Sequence, residues 1–277
     1  MRADEVKAVL ESLGKRPTKR LGQNFMLNDS VLRDMVRHAD VRDGDRVLEI
    51  GPGMGNLTDE LVRAGAKVIA VEADEAFVRF IERRFGDRVQ AIHADAVKAF
   101  LPEFDKVVSN LPYQISSPIT FKLLDQGFKV AVLMVQKEFA ERMVAKPGTD
   151  DYGRLSVGVY FRAECEIVMN IPRHFFWPQP KVDSCVVRLV PRPPPFGVCD
   201  ADAFRRVTQA VFSHRRKMIS NSLVRDPIVS DLVRGVDAEK LRGLPYSDRR
   251  PEELSPEQIG ELTDAVIELG RTVRRTA

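Results

Sequence analysis

The segment Val47 to Thr58, VLEIGPGMGNLT, runs a short apolar stretch straight into Gly51, Gly53 and Gly55 and then into helix-forming residues. This is a buried strand, a glycine loop and a helix capped by Asn56 or Thr58. A strand that turns at once into a helix belongs to a sheet covered by helices. The pattern repeats. Apolar runs at Lys67 to Val71, Val89 to Ala94, Asp105 to Ser109 and one ending near Val135 alternate with helical stretches near Ser30 to Ala39, Asp74 to Arg84, Ser117 to Gln126 and Lys137 to Ala145. Alternation of this kind predicts an α/β fold, a parallel sheet with helices on both faces. Two later runs, Glu164 to Ile171 and Asp183 to Val190, predict an antiparallel pair at the sheet edge. PRPPPFG, Pro191 to Gly197, is a stiff linker, and the periodicity beyond it is helical through Asp202 to Phe212, Arg216 to Leu223 and Pro256 to Leu269.

Polar residues stand at the ends of successive strands. Glycines admit a ligand close to the backbone, and amides at a helix start favour its polar groups. The spacing GxGxG differs from the GxGxxG of nicotinamide and flavin enzymes, and the loop holds no Lys or Arg to grip phosphate. Both points favour a ligand without phosphates. Glu72 ends the second strand, where a carboxylate accepts both hydroxyls of a ribose. Asp95, after the third, can accept from the amine of a bound adenine. The fourth ends in NLPY, Asn110 to Tyr113. An amide, a backbone carbonyl ahead of a proline and an aromatic ring can hold a flat heterocycle by its exocyclic amine and stack on its face. Adenine fits. Its amine is a poor nucleophile because the lone pair is delocalised, and two acceptors on its hydrogens favour the pyramidal, reactive form without a general base. Any one of these acids alone is more often a solvated strand end; their order makes coincidence a poor explanation.

Glycine loop, Glu72, Asp95 and NLPY together resemble the class I S-adenosylmethionine-dependent methyltransferases, in the branch that methylates the amine of adenine. Two further strings narrow the resemblance. LGQNFMLN, Leu21 to Asn28, is similar to the amino-terminal signature of the ribosomal RNA adenine dimethyltransferases, and FWPQPKVDS, Phe176 to Ser184, resembles their F-x-P-x-P-x-V-x-S segment. With NLPYQISSPI and FSHRRKMISNSL, the matching strings span Leu21 to Leu223 and lean toward the small-subunit type, which dimethylates two adjacent adenosines near the 3′ end of small-subunit ribosomal RNA within an immature subunit. The resemblance implies a Rossmann-like sheet domain at 29–190, preceded by a basic segment and signature at 1–28 and followed by the linker at 191–197 and a small all-α RNA-docking domain at 198–277. It implies S-adenosylmethionine as cofactor, held by Asn24, Met26, Gly51, Gly53, Glu72, Asp95 and Asn110. Asn110, Leu111 and Pro112 become the amine clamp, Tyr113 the stacking face and Phe176 a candidate for the opposite face, although core packing is the expectation for at least one of Phe175, Phe176 and Trp177. Met26 stands where the signature commonly has leucine, an apolar and adaptable replacement.

Composition adds bounds. The 277 residues, 44% hydrophobic, suffice for one large domain and a smaller one. Cys165, Cys185 and Cys199 are an odd number without metal-like spacing, so neither a disulfide framework nor a metal site is expected, and all three read as small buried residues. No apolar run follows the first basic residues and none approaches a membrane span, so the chain is expected in the cytoplasm, without membrane association and as a monomer. A net charge of +3 is mild, and the distribution says more. Lys15, Arg16, Lys19 and Arg20 precede the signature, and Arg215, Arg216 and Lys217 cluster later; both groups are expected on RNA phosphates. Two other readings compete: a large-subunit adenine dimethyltransferase of the antibiotic-resistance type, and a ribosome-assembly factor that keeps the fold without turnover.

Overall fold

Residues 3–17 and 23–276 are described in this computed structural model. Helix α1 (Ala3–Ser12) buries Val6 and Leu10, and β1 (Phe25–Met26) and α2 (Asp29–His38) follow. Next come β2 (Arg46–Ile50), α3 (Asn56–Arg63), β3 (Lys67–Glu72), α4 (Glu75–Phe85), β4 (Val89–His93) and β5 (Lys106–Asn110). The alternation continues through α5 (Ser116–Gln126), β6 (Val130–Gln136) and α6 (Lys137–Val144) to α7 (Arg154–Arg162). After these lie β7 (Ala163–Ile171), β8 (Phe176–Trp177), β9 (Ser184–Pro191) and the helices α8 (Ala201–Ser213), α9 (Ile219–Arg225), α10 (Ala238–Arg242) and α11 (Pro256–Thr276).

The chain divides into two compact units, Met1–Glu141 with Glu164–Pro191, and Arg142–Ala163 with Arg192–Ala277. The sequence reading assigned 29–190 to one domain; the stretch Arg142–Ala163 instead packs with the later helices. In the first unit seven strands form one sheet in the order β4-β3-β2-β5-β6-β9-β7. β2 pairs in parallel with both β3 and β5, β6 continues the parallel run beside β5, and β9 is antiparallel to β6. Val107, Val108 and the run Ala131 to Val135 are almost wholly buried, as strands covered by helices on both faces must be. The strand order reverses between β2, whose successors lie on one side, and β5, whose successors lie on the other. Ligands of open α/β sheets bind at the carboxyl ends of the strands beside such a reversal. β2 leads into the glycine loop and β5 into NLPY, so the topology brings these two strings together.

The glycine loop departs from the expected caps. Gly55 is the N-cap of α3, with φ +79° and no side-chain cap bond, while Asn56 and Thr58 are used elsewhere. A Cβ on Gly55 would stand 2.6 Å from the Phe85 ring and 2.8 Å from Ile81, so glycine is required both by conformation and by the approach of α4. At Gly51, with φ +70°, an added Cβ would press on the Pro112 ring at 3.3 Å. The loop and NLPY are therefore in near contact.

In the second unit Tyr152, Phe161, Phe204, Val207, Leu223, Leu241, Leu254 and Leu262 form a separate core. The Tyr152 hydroxyl donates to the Leu254 carbonyl at 2.9 Å, which satisfies the one polar atom of a ring otherwise buried in that core. The cysteines differ from expectation: Cys185 is buried, Cys165 half-buried and Cys199 exposed.

Candidate active site

A solvent-open cleft lies at the carboxyl ends of β2, β3 and β5. Its lining comes from the amino-terminal signature (Gln23, Asn24, Phe25, Met26), the end of β2 and the glycine loop (Glu49, Gly51, Gly53, Asn56), Glu72, and Asn110 to Tyr113. Backbone contacts fix these pieces. The Asn56 side-chain nitrogen Nδ2 donates to the Met26 backbone carbonyl at 3.0 Å, and the Asn110 side-chain nitrogen Nδ2 reaches the Asn24 carbonyl at 3.5 Å. The signature is itself held as a strand, with Phe25 opposite Trp177 and Met26 opposite Phe176 across β1 and β8. Helix α1 braces the same wall, because Val6 and Leu10 share a cluster with Phe25, Met54 and Phe77. Lys15 places its ammonium 2.9 Å from both oxygens of Asp74.

Glu72 is nine-tenths buried. One of its oxygens accepts from the Gly53 amide at 3.2 Å and the other from the Asp74 amide at 2.9 Å. Burial raises its pKa, against the pull of those amides. Glu49 is more extreme. It is 2% exposed, and burial pushes its carboxyl up to about 8, the Thr58 hydroxyl at 2.6 Å holding it back only in part. The Tyr113 phenol is also raised, by burial first. No Lys, Arg or His is among the described lining residues, and the side-chain oxygen of Asn56 is buried without a hydrogen-bond partner. Glu72 and the orphaned Asn56 oxygen, with no cation among the described lining residues, suit a ligand that carries positive charge and N–H or O–H donors, and Glu49 adds a carboxyl group that holds its proton near neutral pH.

Asn24, Met26, Gly51, Gly53, Glu72 and Asn110 thus converge, with Leu111, Pro112 and Tyr113 beside them. Two expected residues do not line the cleft. Asp95 is exposed; its side chain accepts from the Val97 amide at 2.9 Å and stands 3.7 Å from Lys98. Phe176 is 3% exposed and belongs to the core cluster around Met35 and Val132. Its job here is to pack beneath the signature, and neither Phe175 nor Trp177 lines the cleft. Glu49 and Asn56 were missed. A carboxylate inside the otherwise apolar run VLEI was the available signal for Glu49.

The basic residues also divide. Arg16 is exposed, and Lys19 and Arg20 lie outside the described residues. Arg216 and Lys217 are exposed, whereas Arg215 donates to the Asp150 carbonyl at 2.6 Å and to Glu252 at 3.3 Å, so it serves the fold of the second unit. Among the described residues no cluster of His, Cys, Asp or Glu could hold a metal ion, and no helix is long and apolar enough to cross a membrane.

Residues 14–232 match the family model described as ribosomal RNA adenine dimethylase. The chain belongs to that family. A curated relative from Thermococcus gammatolerans, named "Probable ribosomal RNA small subunit methyltransferase A", is 42% identical over 92% of this chain and 91% of its own. Among solved structures, a dimethyladenosine transferase from Plasmodium falciparum aligns with a TM-score of 0.73 and 31% identity, covering 86% of this chain and 95% of that one. The 23S rRNA methyltransferase ErmE aligns with a TM-score of 0.63 and 27% identity, over 88% and 99%. The expected fold class, a class I methyltransferase sheet followed by a helical part, agrees with both structural neighbours.

Proposed function

We propose that this family member transfers methyl groups from S-adenosylmethionine to the exocyclic amines of two adjacent adenosines near the 3′ end of small-subunit ribosomal RNA, giving dimethyladenosines during assembly of the small subunit in the cytoplasm. The observation that carries the reading is the junction at the strand reversal, where a glycine loop and NLPY meet in a cleft whose described lining holds acceptors and no Lys, Arg or His. The small-subunit assignment is supported by the name of a relative 42% identical along almost the whole chain.

The residues present fit the cofactor, whose sulfonium and ammonium groups match a described lining that holds Glu72 and no Lys, Arg or His. Glu72 would accept from the ribose hydroxyls, Gly51 and Gly53 would let the backbone approach, and Asn24, Met26 and Asn110 would complete the enclosure. When bound, the cofactor supplies an electrophilic methyl group, so the protein's work is orientation and charge complementarity. With its nitrogen turned toward Asn24, the Asn110 side chain offers its oxygen to the adenine amine, and the Leu111 carbonyl offers a second acceptor. Pro112 stiffens that acceptor, and Tyr113 supplies a stacking face. The raised Tyr113 phenol stays neutral at physiological pH and is no base. The target base must leave its stack to reach this site, which costs least in a loop or a strained RNA end. Asp95 has a place in this scheme only if its side chain turns from the Val97 amide toward the cofactor.

The likeness to a 23S rRNA methyltransferase favours a second reading, methylation of large-subunit RNA. An assay offering equal amounts of undermethylated small subunits, naked large-subunit RNA and a free adenine-containing oligonucleotide separates the two. Label concentrated as dimethyladenosine in the small subunit is the expected result. Preferential labelling of large-subunit RNA transfers the assignment, and RNA binding without methyl transfer leaves an assembly factor.

A further inference from the structure

We propose that Ser184 is a positioning residue for methyl transfer, its hydroxyl fixing the ring of Tyr113 at the angle that receives the target adenine. The proposal rests on the reading of Tyr113 as the stacking face. Tyr113 and Ser184 stand 71 residues apart and lie in two different sequence motifs, NLPY and FWPQPKVDS; their hydroxyl oxygens are 2.7 Å apart. Ser184 is wholly buried. It opens β9 opposite Gln136 of β6, and β6 lies between β9 and β5, the strand that delivers NLPY. The tyrosine therefore reaches from the end of β5 past β6 to anchor its far end on β9. The anchor is itself fixed. The Lys137 amide donates to the Asp183 carbonyl at 3.0 Å, and the Asp183 carboxylate accepts from the Arg173 amide at 3.0 Å.

A tyrosine half-open to a cleft, as Tyr113 is, can turn about both side-chain torsions unless its hydroxyl is held. Stacking a base in a reactive pose needs one ring orientation, and a small misplacement there costs rate more than it costs binding. Ser184 is wholly buried and lies outside the cleft lining, which assigns its effect to the bond with Tyr113.

Tyr113→Phe and Ser184→Ala each remove one end of the bond while keeping the ring. Each is expected to lower kcat about five- to tenfold, the effect of one lost hydrogen bond, with cofactor affinity unchanged, and the double variant is expected to be no slower than either single one. In a small-subunit RNA carrying 2-aminopurine at the target position, each variant should show weaker stacking quench than the wild type. Unchanged kcat in both single variants, or effects that multiply in the double variant, would overturn the proposal. Should Ser184→Ala fail to fold, Tyr113→Phe read against the 2-aminopurine signal decides: full wild-type quench and kcat overturn it. A wild-type protein that transfers no methyl group to RNA overturns the functional reading and this inference together, whereas an active wild type with unaffected variants overturns the inference alone.

Discussion

In the cleft, Glu49 and Glu72 are buried with no cation among the described lining residues. In the stretch Arg215 to Lys217, the first guanidinium is bound to Glu252 and Asp150 while the next two cations stand exposed. The sequence presents both regions as functional, by motif in one and by charge in the other. Burial separates them. A carboxyl group buried without a counter-ion in a low-dielectric site is costly even when hydrogen-bonded, and a ligand that carries positive charge would relieve that cost. A run of surface cations carries no such cost, and each member has to be tested for internal partners before it is assigned to RNA.

The largest effect that would break this contrast lies in the cleft. Asn110→Ala is expected to lower kcat by about 10²- to 10³-fold, the usual result of removing one aligned polar group from a transition state, while RNA affinity stays near that of the wild type. Near-normal turnover would remove Asn110 from the clamp. Glu72→Ala should weaken cofactor binding by roughly 1.5–3 kcal/mol, as for a hydrogen bond to a charged group, and calorimetry reads it directly. An unchanged affinity in the folded variant would mean that Glu72 only braces Gly53 and Asp74.

The basic stretch should respond more weakly and unevenly. Neutralising Arg216 and Lys217 should flatten the salt dependence of RNA binding by about one unit of slope per lost phosphate contact. Arg215→Ala should instead lower the melting temperature and leave that slope in place. Equal slopes in all three variants would make the whole stretch a solvated face. The smallest effect concerns pH. Because the folded Glu49 carboxyl sits near 8, well above an unfolded glutamate, the folded protein holds an extra proton between roughly pH 4.5 and 8. Stability from this group is present at low pH and is lost as pH rises through that window. Melting temperatures of the cofactor-free protein should therefore fall more steeply from pH 6 to 8.5 in the wild type than in Glu49→Gln, and parallel curves would show that Glu49 is ionised throughout.

The central strands β2, β3, β5 and β6 were legible because each apolar run is short, buried on both faces and stopped by a polar or glycine-rich turn, and the helices between them by their amphipathic stripes. Helix α7 was not. Leu155, Ser156, Val157, Gly158, Val159 and Phe161 are all buried, so the helix shows no amphipathic stripe to read. The two-residue strands β1 and β8 are too short to leave any periodicity, yet their pairing sets the position of the signature. In the site, glycines, Glu72 and Asn110 could be read because chemistry demands their residue types. Asp95, Phe176 and Arg215 share those types, and what could not be read is their surroundings in this structure: a local turn, a core and an internal ion pair.

The pairing of Phe25 with Trp177 and the bond between Tyr113 and Ser184 also bear on when the site can exist. A growing chain has made the glycine loop and NLPY well before it makes residues 176–184. Until then one wall of the cleft has no partner strand and the stacking ring no anchor. Contacts so distant in sequence form late, because a long loop must close before they are rewarded. On a ribosome, a nascent copy of this enzyme would hold the parts of a methylation site without the site itself.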